Sequence, residues 1–263
     1  MVLNRQPGCG VVRRRFRYWW LALPLGLGTV IGLGLFRYGP HLQWRISPAW
    51  ITTRGIQPVP VSALPDSPPP DDFAHCQLGP LAFDVPTRMT SKPEFKGGRM
   101  SGVVLRDGSR EVFVGLPQDN RQVAQTIRLG LADAGGLSSI PRVKAEAYAA
   151  SSSDFRWSMS RPELARHRWL LGYAFLGRLS GTKAVETFSG GQVAGLLVIR
   201  DWGAVFEWYA DGDNVSGELL FDQRHGEINL TWVRPICASL RYTHGVFGEE
   251  ITADEVAKLF RIE

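Results

Sequence analysis

A chain of 263 residues, 44 % hydrophobic and 21 % charged, is long enough and apolar enough to bury a core of ordinary size. Its three cysteines exclude a scaffold built on disulfides. The net charge of +5 is unevenly spread: residues 1–70 hold eight arginines against the single acid Asp66, so the remainder is close to neutral and a basic footprint for nucleic acid is excluded.

Residues 1–17 form a basic tail carrying Arg5, Arg13, Arg14, Arg15 and Arg17. Residues 18–36, YWWLALPLGLGTVIGLGLF, follow with no charge over nineteen positions. As a helix they span roughly 28 Å at about 1.5 Å per residue, close to the hydrocarbon thickness of a bilayer, and a single transmembrane helix is expected. A buried core helix rarely runs this long without a charge. A cleavable signal peptide needs a shorter apolar run and a small-residue cleavage site, whereas the exit reads Phe36-Arg37-Tyr38-Gly39-Pro40. An uncleaved signal-anchor is therefore the reading. Tyr18, Trp19 and Trp20 at one edge, with Phe36, Tyr38 and Trp44 at the other, suit the headgroup level. Gly28 and Gly32 form a G-x-x-x-G that would let two such helices approach closely and self-associate.

The arginine bias sets the orientation. Five arginines precede the span; Arg37, Arg45 and Arg54 follow it before residue 65. The N-terminus is expected in the cytoplasm and the remainder outside it, so the lipid bilayer is the first partner.

Residues 37–72 are expected to be a juxtamembrane linker. Pro40, Pro48, Pro58, Pro60, Pro65 and Pro68-Pro69-Pro70 oppose regular helix and sheet and favour an extended spacer. Residues 73–263 then form one domain. Leu81–Val85 reads as a strand, and Val103–Leu105 and Val112–Val114 flank the hairpin signal Asp107-Gly108. A helix is predicted from about Arg121, closed by Gly135-Gly136, and another over 141–150 on propensity. Ser160-Arg161-Pro162-Glu163 is a capping box that opens a helix to about Leu179. The last third reads as a strand meander: Val193–Arg200, Ala204–Ala210, Gly217–Asp222, then Ile228, Leu230 and Trp232 alternating with Asn229 and Thr231. A final helix is expected from Thr252, carrying Val256, Leu259 and Phe260 inward. Strands and helices are segregated, so the class is α+β, a mainly antiparallel sheet packed by helices on one face.

Chemical motifs are sparse. Ser180-Gly181-Thr182-Lys183 spells the S-x-x-K of penicillin-binding enzymes, yet it sits at a helix exit and lacks the companion motifs. His225-Gly226-Glu227 matches part of a zinc deaminase pattern, with only Cys237 to complete it. His75, Cys76, Cys237 and His244 lack metal-ligand spacing, and Cys76 and Cys237 could form one bridge or remain as buried thiols. His167 reads as a core residue on an apolar helix, and His41 as juxtamembrane. Asp211, Asp213 and Asn214 resemble the opening of a calcium loop whose later positions fail; Asn214 and Asn229 begin glycosylation sequons. No P-loop, dinucleotide fingerprint, nucleophile elbow or H-E-x-x-H is present. No catalytic residue, cofactor or metal site is assigned. The reading that remains is a membrane-held binding or accessory module with a protein partner; the alternative is an envelope hydrolase using Ser180 or the dispersed histidines.

Overall fold

The computed structural model describes residues 29, 31–34, 36–45, 47, 57–66, 68–96, 99–119, 136–179, 181–211, 215–223, 227–243 and 260–262. Residues 29, 31–34 and 36–45 are helical and are called the entry helix. The strands, in chain order, are β1 (Val61–Ala63), β2 (Phe73–Leu78), β3 (Leu81–Pro86), β4 (Thr90–Lys96), β5 (Arg99–Asp107), β6 (Arg110–Gly115) and β7 (Gln118–Asp119). Helices α1 (Ile140–Ala149) and α2 (Arg161–Leu179) separate these from β8 (Thr182–Gly190), β9 (Val193–Arg200), β10 (Gly203–Ala210) and β11 (Val215–Gln223). Helix α3 (Leu230–Ser239), β12 (Arg241–Tyr242) and β13 (Phe260–Ile262) complete the order.

The protein is α+β. One large sheet runs β1-β8-β9-β10-β11-β6-β5-β4, with β7 also on β11, and every pair is antiparallel except β1 with β8. A second, four-stranded sheet runs β12-β3-β2-β13. The expected β5–β6 and β9–β10 hairpins are present. Asp107 pairs with Arg110 across Gly108, whose φ of 56° lies in the left-handed region that glycine adopts without strain.

The centre of the large sheet is covered on both faces. All of β9 from Val193 to Ile199 is buried, as is β10 apart from the half-buried Glu207. Leu197, Phe206, Trp208, Leu219 and Phe221 point toward the small sheet and α3, where they meet Phe83, Leu81, Trp232, Val233 and Ile236. Leu196, Val198 and Val185 point the other way, to Ala145 and Tyr148 of α1. The expected one-faced sheet is thus corrected. Seven successive buried positions read as continuous apolar sequence because alternation vanishes when both faces are dry. Trp208 stands opposite Gly195 on β9 and Gly217 on β11, and a Cβ at Gly217 would come within 2.6 Å of its indole. Glycine there makes room for the ring.

Two other expectations change. Residues 230–239 are helix, not the strand read from Ile228 to Trp232. Asn229 caps it through its Oδ1, which accepts the Thr231 N–H at 2.9 Å. Trp232, Val233, Ile236, Cys237 and Leu240 then fall on one buried stripe at helical spacing. Phe260 opens a strand that pairs with β2, rather than continuing a helix; residues 252–259 lie outside the described residues. So does the helix expected from Arg121 to about Ala134. Helix α1 and the Ser160 capping box match expectation: Ser160 N–H donates to Glu163 Oε2 at 2.6 Å, and Glu163 N–H to Ser160 Oγ at 3.4 Å.

The linker expectation is corrected at both ends. The entry helix continues through Pro40 to Arg45 and lies against α2: Trp44 packs with Leu164 and Leu171, and buried His41 donates from Nε2 to the Met159 carbonyl at 2.8 Å. Further on, the prolines do hold the chain extended, but as the edge strand β1. Val185 N–H donates to the Pro60 carbonyl at 2.9 Å and Leu64 N–H to that of Thr187 at 2.7 Å. Proline lacks the donor an inner strand needs, and at the edge none is missed. Val59 is buried with Tyr148 and Val185. Among the described residues no helix is long and apolar enough to cross a membrane; of the expected span, residues 18–28, 30 and 35 lie outside them.

The two-sided sheet predicts that neighbours on β9 are equally sensitive. Leu196→Ala and Leu197→Ala should each cost about 2–5 kcal/mol by lost burial and cavity formation. Chemical denaturation followed by tryptophan fluorescence measures both; a small loss at Leu196 with a large one at Leu197 would contradict cover by α1.

Candidate functional site

The hairpin between β8 and β9 borders an open concave surface. Gly190-Gly191-Gln192 makes the turn, with Gly191 at φ 59°. Beside it lies a hollow of about 880 Å³. One wall is the segment after β1, Leu64 to Asp66; a second is the start of α1, with Ser138 and Arg142; a third is Ala238 and Arg241 behind α3. A smaller hollow of about 510 Å³ continues around the turn to Tyr242 and Thr243 and shares Arg241. Two arginines therefore face one acid, Asp66, around this groove. Arg241 is anchored through Nη1, which donates to the Ala238 and Leu240 carbonyls, each at 3.0 Å. Arg142 is largely exposed, with Glu146 at a loose 3.9 Å. Guanidinium groups held at the rim of an open groove suit carboxylate or phosphate recognition.

The α1 wall is fixed by a polar cluster beneath it. Lys144 Nζ donates to Glu207 Oε2 and, at 2.8 Å, to the Tyr209 hydroxyl; that hydroxyl donates to Glu207 at 2.9 Å. Lys144 also lies over the Tyr209 and Tyr173 rings at 5.5 and 6.0 Å. Burial alone would push its pKa down; Glu207 and Tyr209 outweigh burial, and the amine stands above the usual lysine range. A lysine so held is a poor nucleophile, which argues against imine chemistry. Burial first and the Glu207 charge second raise the Tyr209, Tyr173 and Tyr148 hydroxyls as well. Directly across from Glu207, on β11, stands Glu218. Burial and then the Glu207 charge push its carboxyl upward, against the pull of Arg200 and Lys144. The cluster is a latch holding α1 on the sheet, and no local pattern marks it. Glu207, Tyr209 and Glu218 lie 63, 65 and 74 positions after Lys144, and only the fold aligns them.

The residues singled out by motif do not converge on the groove. Lys183 is the second residue of β8 and sits between Asp201 at 3.2 Å and Glu227 at 3.1 Å. It is on a strand, so the S-x-x-K helix geometry is absent; Ser180 lies outside the described residues, as do His225, Gly226 and His244. His75 is exposed and meets Asp84 at 3.2 Å, while its neighbour Cys76 is fully buried, as strand alternation requires. Those two cannot share a metal. Cys76 and Cys237 are free thiols in the core; burial raises Cys76 to about 12 and Cys237 well above the usual range. Among the described residues no group of three or more His, Cys, Asp or Glu could hold a metal ion. Asp211 accepts the Ser138 N–H at 2.9 Å and its hydroxyl, so it secures the entrance to α1; Asp213 and Asn214 lie outside the described residues. Asn229 is occupied as a helix cap. His167 is buried on α2, and burial lowers its pKa against the pull of Asp154. Gly32 has open space where a Cβ would stand; Gly28 lies outside the described residues.

Because Glu218 titrates above its ordinary value in the fold, the folded state binds more protons than the unfolded one over that window. Stability therefore falls as pH rises from the ordinary carboxylate range through the raised value. Glu218→Gln should flatten this decline and stabilise the protein at neutral pH. Unfolding midpoints measured from mildly acidic to neutral pH check it; an unchanged slope would remove Glu218 from the account. Comparison with known families and with characterised proteins gives no match, so the chemistry of this site rests on its own geometry.

Proposed function

We propose that the chain is a single-pass membrane protein, residues 18–36 crossing the bilayer, whose domain of residues 73–263 works outside the cytoplasm as a binding or accessory module. Support for the span is the uncharged stretch of nineteen residues between arginine clusters. Gly28 and Gly32 offer a seam for self-association within it. The observation that carries the binding reading is the groove around the β8–β9 turn, rimmed by Arg142 and Arg241 and lined by no histidine or cysteine. Its partner is an extended acidic segment of another protein, for which two spaced guanidinium groups on an open surface are suited. The domain does not hang on a long spacer: β1 and the entry helix are packed into it.

Peptide binding tests the groove. Acidic extended peptides should bind the full chain, and neutral or basic ones of equal length should not. Arg142→Glu with Arg241→Glu should weaken binding about tenfold or more for each arginine lost. Equal binding of all peptides, or a double variant that binds like the parent, would refute it. Labelling by a fluorophosphonate that disappears in Ser180→Ala would instead favour the hydrolase.

Orientation has its own test. A reporter active only outside the cytoplasm, fused after Glu263, should be active. Activity of a cytoplasm-only reporter there would reverse the topology.

A further inference from the structure

The entry helix and α2 run side by side in the same direction. Arg161, the first residue of α2, lies over the Phe36 ring at 4.3 Å and donates from Nη2 to the Phe36 carbonyl at 3.0 Å. Seven residues later Arg168 lies over Trp44 at 5.0 Å, eight residues beyond Phe36. At about 1.5 Å per residue the two helices keep level with each other. The first turn of α2 therefore starts at the height of Phe36, the last residue of the apolar stretch.

That height matters if the stretch spans a bilayer, the reading on which this inference rests. Phe36 then marks the edge of the hydrocarbon. The headgroup layer beyond it is roughly 5–8 Å thick, about four or five helical residues. Arg37, Tyr38 and Arg161 fall within that layer, and all three are exposed. Phe36 is 68 % exposed and Tyr38 42 % exposed, although the neighbouring His41 and Trp44 are buried. Apolar rings left bare at this height suit the interface of a membrane. Arg45, just above, lies over the Phe155 and Trp157 rings. The acids of this region are already engaged: Glu163 takes the Ser160 N–H and Asp154 takes the Ser151 N–H. Arg161 is also pre-aligned, because its bond and its ring contact to Phe36 fix the guanidinium plane before any ligand arrives.

We propose that Arg37 and Arg161 form a collar for the phosphate of anionic lipids where the chain leaves the bilayer, and that this collar seats the domain on the membrane surface. The lipid phosphate takes the N–H groups of the two guanidiniums, while Phe36 and Tyr38 lie among the upper acyl carbons and glycerol.

The full chain in nanodiscs tests this, with phosphatidylcholine alone or mixed with phosphatidylglycerol. Phosphatidylglycerol retained on the protein is read by native mass spectrometry, and amide exchange is followed across residues 36–45. In the parent chain phosphatidylglycerol should bind and should slow that exchange. Arg37→Gln with Arg161→Gln should weaken the binding about thirtyfold, and Arg37→Gln alone about fivefold. The single variant leaves the Arg161–Phe36 contact intact, so its loss cannot be put down to undocking of the helix. Arg13→Gln with Arg14→Gln, which removes equal charge from the other leaflet, should leave the exchange effect in place. Exchange that does not respond to phosphatidylglycerol, or a collar variant that binds it like the parent, overturns the collar. Release of the chain from membranes by alkaline carbonate overturns the span itself; retention without a lipid response refutes the collar alone.

Discussion

The structure depends on one constraint: the middle of the large sheet must be dry on both faces. β9 supplies seven consecutive buried positions and β10 seven of eight, broken only by the half-buried Glu207, and no single layer can cover both sides. The small sheet with α3 closes one face and α1 the other. Trp208 shows how tightly the first face is fitted. Its ring occupies room that Gly217 leaves on β11, and the Phe206 ring likewise fills the room at Gly195 on β9, so a large apolar surface is buried without parting the sheet.

Polar groups follow from that closure. Covering the second face with α1 places Lys144 over Glu207 and Tyr209, where each must find a partner within a poorly hydrated layer. On the other face Glu186, almost wholly buried, is met by the fork of Arg234 at 2.5 and 3.1 Å, which ties α3 to β8. A carboxylate on each side of the sheet is thus matched by a cation from the helix above it. These ties hold α1 and α3 on the sheet, and the start of the one and the end of the other line the groove at the β8–β9 turn. The groove is a consequence of how the helices are latched.

The segment that follows the apolar stretch is fixed by the same means. The segment between the apolar stretch and the domain is used twice, as a helix against α2 and as an edge strand on β8. A free spacer would let the entry helix turn relative to the sheet. A segment consumed by packing at both ends restricts that motion, because turning would expose Trp44, His41 and Val59, all now buried.

Much of this was legible in local sequence. The β5–β6 and β9–β10 hairpins, the Ser160 cap and α1 all follow from turn chemistry, capping and propensity, which act over a few residues. The apolar stretch and its arginines likewise define an expected span and its orientation without reference to any fold. Three features needed the tertiary structure. Ile228 to Trp232 alternates over five positions and mimics a strand, whereas the helical stripe appears only when the run is followed to Leu240 and Asn229 is free to cap it. The prolines from 58 to 65 declare an extended chain, but which strand it joins depends on an edge that β8 leaves open more than 120 residues later. The candidate groove draws its walls from residues 63 to 241, so no local pattern could have marked Arg142 and Arg241 as neighbours of one surface. Sequence by itself determined what depends on near neighbours and on composition. The site was decided by long-range burial, because only the closing of both sheet faces brings its parts together.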